Sequence, residues 1–312
     1  MSHASEQGLD AAVPAPVVRV EPARVVIEPT ERAWLPLQRG LAALPLAASL
    51  IVVCSVVAAA LVPDWLAPFG ATDMDSTAIL QPPGGAHLLG TDHFGRDVLS
   101  LVIYGARQSV LMAVAAMMLS CGVGATLGLI AGYTGGIMDM LLMRVVDIWL
   151  AIPNILLALA ICTALSPSVF TTILAVGTAV CPRYTRVLRA QALAVRTKPF
   201  ILAARAAGAS HVAILRRHVL PHCFATILVM ATLGVGTSIL LGTSLSFLGL
   251  GMNDDRPDWG YMLSQGRGYL TVAWWSVTFP GLAITLLVIS INLLGDALRR
   301  RLAPHSAAGG RP

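Results

Sequence analysis

Four long stretches without a charged residue constrain this chain more than any other feature of its sequence. A helix needs about 20 apolar residues to cross a hydrocarbon core of about 30 Å. Each of the four stretches is longer than that: 41–62, 109–133, 225–250 and 270–295. Only 12% of all residues are charged, against about a quarter in soluble domains. The sequence therefore predicts an integral membrane protein.

A fifth uncharged run, between Asp147 and Arg183, is too long for one crossing. Ser166-Pro167-Ser168 interrupts it with residues that favour a turn. We therefore predict a tight hairpin of two spans, 137–165 and 169–188, whose cytoplasmic ends lie in charged flanks. The predicted fold class is an all-α integral membrane protein with six transmembrane helices.

The basic residues orient these helices, because Lys and Arg of short loops stay on the cytoplasmic side. With the N-terminus inside, most of the 21 Lys and Arg residues fall on the inner side. The exceptions are Arg96, Arg107, Arg256 and Arg267. Both termini are therefore predicted to be cytoplasmic. The net charge of +5 follows from this topology and does not indicate a nucleic-acid partner.

No site for an energy source is visible in this sequence. Its single lysine, Lys198, precedes Pro199, so the GxxxxGK[ST] loop that binds nucleotide phosphates is absent from the sequence. An ion-coupled secondary transporter, which stays as an alternative, would need ionisable groups deep in its helices. Arg144, Asp147 and Asp296 lie near predicted cytoplasmic ends, and we expect Arg144 and Asp147, three residues apart, to form a local ion pair.

A hydrolase inside the membrane is a more remote alternative. Gly242-Thr243-Ser244 resembles the start of a membrane serine protease motif, but a serine nucleophile needs a nearby base, and all seven histidines lie in tails or loops. Gly242, Thr243, Ser244 and Ser246 are expected instead to let helices pack closely. The alternative is that polar residues line a translocation path, for which the candidates are Pro153, Asn154, Thr243, Ser244 and Ser246. The five cysteines lack CxxC spacing and are expected to be buried apolar residues.

The loop of residues 200–221 is the largest and most basic predicted cytoplasmic segment. Its alanines favour helix and leave a smooth surface. Gly208 allows a sharp turn between two short helices, and Leu220-Pro221 is expected to begin the next span. Such a knob fits a groove on a cytoplasmic partner. We expect His211 to be peripheral to that contact.

The same loop carries a family resemblance. Leu202-Ala203-Ala204, Gly208 and Leu220-Pro221 resemble the EAA motif with which bacterial ABC importer permeases dock on their ATPase. Leu202 stands where that motif has a glutamate. The chain is similar, from about Leu41 to Arg301, to the second permease of the dipeptide, oligopeptide and nickel class. The further matching segments are 87–97, 104–107, 131–133, 144–147, 152–153, 246–251 and 259–260.

The resemblance implies a MetI-like ABC permease fold with a cytoplasmic coupling helix, in a bacterial inner membrane. The sequence and the resemblance together predict a mostly disordered cytoplasmic tail 1–40, a first span 41–62, an extracytoplasmic segment 63–105, a permease core 106–301 and a cytoplasmic tail 302–312. The residues that would contact the ATPase are Leu202, Ala203, Ala204, Arg205, Gly208, Ala209, Leu220 and Pro221.

The resemblance also implies the partners. They are a second permease, two ATPase subunits that bind ATP and Mg, and an extracytoplasmic solute-binding protein. This chain itself would be non-catalytic, with no cofactor or metal. Within the family the solute can be a peptide, nickel or another chelate, or an opine, and we expect di- or oligopeptides.

One outer segment is a candidate for docking the solute-binding protein, and a second could cover the outer face. Residues 249–271 contain Asp254, Asp255, Arg256 and Asp258, although an ordinary solvated loop would look the same. Residues 64–107 are long enough to lie across the outer face as an amphipathic scoop. Alternatively, residues 90–97 simply begin a helix capped by Thr91 or Asp92.

Overall fold

The structure is a computed structural model that describes residues 35–251 and 257–302. Residues 1–34, 252–256 and 303–312, and with them most of both predicted tails and Asp254, Asp255 and Arg256, lie outside the described residues. The chain divides into a unit Met1–Leu41 and a unit Ala42–Pro312. Of the first unit only the start of a helix is described, and all packing discussed below lies within the second.

The described residues form helices joined by loops. The helices are α1 Leu35–Leu61, α2 Pro63–Leu66, α3 Val98–Thr134, α4 Gly136–Ala151, α5 Asn154–Leu165, α6 Val169–Arg196, α7 Pro199–Ala206, α8 His211–Ile214, α9 Leu220–Phe247, α10 Trp259–Gly266 and α11 Trp275–Leu302. A π-helical turn, Leu215–Val219, joins α8 to α9, and a 3-10 turn, Arg267–Tyr269, follows α10. The predicted all-α membrane fold is confirmed.

Four stretches of helix in the described residues are long and apolar enough to cross a membrane: Leu44–Leu61, Val98–Thr134, His211–Phe247 and Trp275–Leu302. They contain most of the four uncharged stretches of the sequence. The second begins at Val98 rather than at the predicted Ser109, because the side chain of Asp97 accepts a hydrogen bond from the Ser100 amide and caps the helix there. Thr91 and Asp92, the predicted caps, lie before the helix.

The predicted span 137–165 is broken. Helices α4 and α5 meet at an angle of 90° and qualify as a crossing only when taken together. Pro153 explains the break, since proline cannot donate a helical hydrogen bond and disfavours helical geometry in the residue before it; Ile152 is accordingly extended, with ψ of 127°. Helix α6, which carries several arginines, is not among the four apolar stretches. The count of six crossings therefore stays a prediction.

A row of small residues packs α3 closely against α6. The backbone at Gly124, Gly128 and Gly132 approaches so near that an added Cβ would lie 2.4–2.6 Å from carbonyl oxygens of α6. One turn before them, the Ser120 hydroxyl donates to the Gly177 carbonyl across the interface at 2.9 Å. Small residues at four-residue spacing allow such contact between membrane helices. We call this row, residues 120, 124, 128 and 132, the α3–α6 seam.

The segment between α2 and α3 has no helix in residues 67–97. It is a compact loop that packs on the start of α3. The Thr91 side chain is buried, and its carbonyl accepts a hydrogen bond from the Trp275 indole at 2.9 Å. The Asp92 carboxylate accepts from the amides of Phe94 and Arg96 and pairs with the Arg96 guanidinium at 2.7 Å. These contacts fix the loop to the N-terminal ends of α3 and α11.

Candidate coupling loop and path

The predicted coupling loop folds as two short helices, α7 and α8, with Gly208 between them. Gly208 has φ of +78°, a conformation that side chains disfavour. Around it the Gly208 amide donates to the Arg205 carbonyl at 3.0 Å and the Ala209 amide to the Ala204 carbonyl at 3.1 Å. This pair of bonds is the Schellman arrangement that ends a helix at a glycine. The predicted turn at Gly208 is therefore confirmed.

The loop is anchored on one side and open on the other. Ile201, Ile214 and Val219 are fully buried and pack with apolar residues of α3, α6 and α9. The open side carries Leu202, which is 55% exposed, together with most of the other predicted contact residues. Those that are exposed are Ala203, Arg205, Gly208 and Ala209, while Ala204 is half-buried. The loop is thus fixed by its buried apolar side and exposes mainly small residues to solvent on its other side.

Leu220 and Pro221 are exposed and are the first residues of α9. The helical conformation itself begins earlier in the chain. The helix runs on from His211 through the π turn Leu215–Val219. A wider turn just before a proline relieves the clash of its ring with the preceding carbonyl and explains how the helix continues. Leu220-Pro221 therefore begins α9 with the proline in its first turn, as predicted, and the apolar stretch of helix extends back to His211.

His211 contacts the end of α3. Its Nδ1 lies 3.0 Å from the Tyr133 hydroxyl at the end of α3. The guanidinium of Arg205 lies over the same tyrosine ring, 5.2 Å from its centroid. Next to them is a cavity of about 480 Å³, lined by Tyr133, Arg205 and His211 with Ile130, Thr134, Val212 and Leu215.

The predicted path residues separate into two groups. Pro153 and Asn154 are exposed at the bend between α4 and α5. Thr243 and Ser244 line a cavity of about 260 Å³ together with Ile155, Phe247, Leu248 and Leu263. Both hydroxyls donate to carbonyls of their own helix, at 2.8 Å from Thr243 and 2.6 Å from Ser244. Ser246 is only 2% exposed and lies beneath α10, so it does not reach this cavity.

Close packing, the other interpretation of these small residues, also holds. A Cβ added to Gly260 of α10 would lie 2.4 Å from the Thr243 carbonyl of α9 and 2.7 Å from the Ser246 Cβ. An added Cβ at Gly242 would lie 2.2 Å from the Met112 side chain of α3. The row 242–246 therefore brings α9 close to α3 and α10, while Ser244 is half-buried and Ser246 is buried.

Two ion pairs that the sequence did not reveal tie α4 to α6. Asp139, which is 8% exposed, binds Arg189, with 2.6 Å between Oδ2 and Nη2. Asp147 pairs with Arg186 at 2.5 Å. The expected pair of Arg144 with Asp147 is therefore wrong, because Asp147 reaches across to α6. The partners lie 39 and 50 residues apart, beyond any local spacing rule.

Asp258, just before α10, is a buried carboxylate with 4% exposure. It caps α10 by accepting hydrogen bonds from the amides of Gly260 at 3.1 Å and Tyr261 at 3.2 Å. Its burial raises the pKa of the carboxyl above the ordinary value, and hydrogen bonds from Ser246, the two amides and Ser109 oppose that rise. Asp258 is therefore part of the packing of α10, while Asp254, Asp255 and Arg256 lie outside the described residues.

The sequence of this core can be compared with known families. Residues 124–307 match the family described as binding-protein-dependent transport system inner membrane component. The chain belongs to this family. It is a permease subunit of an ABC importer, and the match covers the α3–α6 seam from Gly124, the coupling loop and the helices that follow.

Several curated relatives of this permease match over most of their length. The dipeptide transport system permease protein DppC of Haemophilus influenzae is 41% identical over 82% of this chain and 88% of its own length. DppC of Escherichia coli is 41% identical over 92% and 96%. The di/tripeptide transport system permease protein DppC of Pseudomonas aeruginosa is 38% identical over 91% and 95%.

A solved structure shows the same fold. The inward-facing MetNI methionine ABC transporter contains a chain that superposes with a TM-score of 0.55 at 20% identity. The superposition covers 65% of this permease and 96% of that chain. The MetI-like fold inferred from the resemblance is thereby confirmed, and at this identity the similarity supports the fold alone.

Proposed function

We propose that this permease forms, with a second permease, the path by which di- or oligopeptides enter a bacterial cell. Two ATPase subunits would drive the cycle, and an extracytoplasmic binding protein would deliver the peptide. The support is that relatives covering more than four fifths of this chain are dipeptide or di/tripeptide permeases. Nickel, chelate or opine transport has no such support among these relatives.

The observation that carries the coupling role is the shape of the loop 200–221. Its two helices meet at a glycine with positive φ, and fully buried Ile201, Ile214 and Val219 fix them to the membrane helices. The exposed residues around Gly208 are small, as a knob in a groove requires. Leu202 is exposed and uncharged, so the ATPase would meet an apolar contact at the position where the motif has a glutamate.

The path would pass the bend between α4 and α5. There Pro153 and Asn154 are exposed, and the cavity beside Thr243 and Ser244 lies against Ile155, one residue farther along. Irregular backbone at membrane depth is tolerated where it lines a cavity or is covered by protein. Ser244, which lines the cavity, and the exposed Asn154 would therefore offer polar groups to a passing peptide.

Both termini and the loop 200–221 would face the cytoplasm, and the segments 67–97 and 257–271 would face the binding protein. The distribution of arginines supports this orientation. So does the packing on the outer side, where the loop before α3 and the start of α11 form one surface through Thr91 and Trp275.

Reconstitution of the whole importer tests the proposal. The permease pair, both ATPases and the binding protein are placed in liposomes, and uptake of a labelled dipeptide is measured with and without ATP. We expect ATP-dependent uptake that unlabelled di- and tripeptides reduce and nickel does not. Uptake by this chain alone along a proton gradient would contradict the ATP-driven mechanism, and competition by nickel would contradict the substrate class.

A further inference from the structure

Both halves of the coupling loop contact a single tyrosine at the end of α3. Arg205, from α7, lies over the Tyr133 ring at 5.2 Å, and His211, from α8, lies 3.0 Å from the Tyr133 hydroxyl. Gly208 separates these two contacts in sequence. One ring is therefore in contact with the loop on both sides of its turn.

Tyr133 is also held firmly on the membrane side. It is 5% exposed and packs in a buried apolar cluster with Leu188 and Val195 of α6. The Arg196 guanidinium donates to the carbonyls of Gly132 and Tyr133 at 3.4 and 3.5 Å. A cation at free carbonyls stabilises a helix end. The Tyr133 ring and the end of α3 are thus held against α6.

Open space on one side of the Tyr133 ring leaves its contacts with His211 and Arg205 as the polar contacts there. Cavities of about 480 and 350 Å³ lie beside it, and both are lined by Tyr133, Thr134 and Arg205. On this side of the ring, the histidine hydrogen bond and the arginine contact add to the apolar packing of the loop against α3.

Helix α3 continues without a break from Tyr133 to Val98. Its far end is capped by Asp97, which also contacts His87 of the extracytoplasmic loop at 3.1 Å. The α3–α6 seam joins it to α6 over its inner half. A displacement of Tyr133 would therefore reach the outer face through helix, since no flexible joint lies between.

We propose that Tyr133 is a positioning residue through which the coupling loop moves α3, with His211 and Arg205 as its two contacts. This inference rests on the proposed function of the loop. It gives His211 a role in linking ATP hydrolysis to transport, which its place in the loop sequence does not suggest.

The test uses the whole importer in liposomes, with ATP hydrolysis and dipeptide uptake measured in the same vesicles. Tyr133→Phe removes the hydroxyl but keeps the ring for Arg205, and His211→Ala removes the other partner. We expect each variant to lower the amount of dipeptide taken up per ATP hydrolysed about three- to tenfold. This is the factor by which the loss of one hydrogen bond changes an equilibrium constant. The double variant should be no worse than either single one, since all remove the same bond. The ATPases should stay bound in every variant.

Thr134→Ala is the matched control. Thr134 adjoins Tyr133, is exposed, and donates its hydroxyl only to the Ile130 carbonyl of its own helix at 2.9 Å. Its ratio of uptake to hydrolysis should equal that of the wild type. An unchanged ratio in both single variants, effects that multiply in the double variant, or a loss explained by dissociation of the ATPases would overturn the inference. Absence of dipeptide uptake by the wild type would instead overturn the proposed function. The same variants would then be compared by how strongly the binding protein stimulates ATP hydrolysis.

Discussion

Gly208 is the residue on which the shape of the coupling loop depends most directly. No heavy atom lies within 4 Å of an added Cβ, so a side chain there meets no clash, and only the φ of +78° opposes it. For a β-branched residue that conformation costs about 1–2 kcal/mol. We expect Gly208→Val to abolish transport while the membrane helices stay folded, as measured by uptake and by co-purification of the ATPase.

Asparagine provides the control at this position, because it tolerates positive φ better than other residues with a side chain. Gly208→Asn should keep most of the transport and bind the ATPase. If Gly208→Val transports normally and retains its ATPase, the docking role of this loop is wrong. If both variants fail alike, the size of the side chain matters and the backbone conformation does not.

Asp258 should make the stability of the outer side depend on pH. Because its folded pKa is raised above the ordinary 3.8, the folded state binds the proton more tightly than the unfolded chain. The stabilisation is thus complete below pH 3.8 and is lost as pH rises through the folded pKa. Asp258→Asn keeps a residue that caps helices well and should remove this dependence. Thermal unfolding of the purified permease at rising pH measures it; equal slopes for both proteins would contradict the assignment.

Single residues differed in how far their sequence context revealed them. The turn at Gly208 was predictable, because a lone glycine between alanines in a polar loop indicates a helix end. The ion pair of Asp139 with Arg189 was not, since its partners are 50 residues apart. The contact of His211 with Tyr133 spans 78 residues and escaped prediction for the same reason.

Helices α3 and α6 depend on the seam between them. A Cβ at Gly128 would lie 2.4 Å from the Thr185 carbonyl, and backbone cannot move aside as a flexible side chain can. We expect Gly128→Ala to separate the helices at a cost of roughly 1–3 kcal/mol, the usual penalty of overpacking. The melting temperature in detergent and the yield of folded protein measure this loss.

Gly122 of the same helix is the matched control for that substitution. It is exposed, and nothing lies within 4 Å of its added Cβ. Gly122→Ala should therefore leave stability unchanged or raise it slightly, because alanine favours helix. Equal losses at both positions would show that helix propensity, and not the contact with α6, decides the outcome.

The uncharged stretches of the sequence predicted the positions of the long helices well and the residues at which they begin and end less well. The stretch 109–133 lies inside α3, whose true start depends on the cap at Asp97. The bend at Ile152–Pro153 was foreseeable from the proline, but its angle of 90° depends on how α4 is held against α6 by Asp139 and Asp147. Tertiary pairs of this kind leave no periodic signal in a sequence.

The topology of the permease turns on whether α4 and α5 together cross the bilayer. The 12 residues of α5 span about 18 Å, too short for a core of about 30 Å. If the pair crosses, Ser166 lies outside and Ala209 inside. In a Cys54→Ser background, which removes the exposed cysteine among the described ones, an impermeant maleimide added to intact cells should label Ser166→Cys and not Ala209→Cys.

Reporter fusions give an independent control of that topology. A reporter active only in the cytoplasm should work after Pro312 and fail after Asp255. Labelling of Ala209→Cys from outside, or activity of the reporter after Asp255, would contradict the predicted orientation. The arrangement of the helices could be predicted from charge and length; the surfaces that meet the other subunits could not, because they depend on which faces the fold leaves open.

The length of α3 has a consequence for the timing of transport. Its 37 residues measure about 55 Å, well beyond the about 30 Å of a hydrocarbon core. A continuous hydrogen-bonded helix of this kind transmits a push far faster than the micro- to millisecond rearrangements of subunits. One mouth of the importer would therefore open as the other closes, without a delay between them. A leak through two mouths open at the same time would require a break in α3 itself.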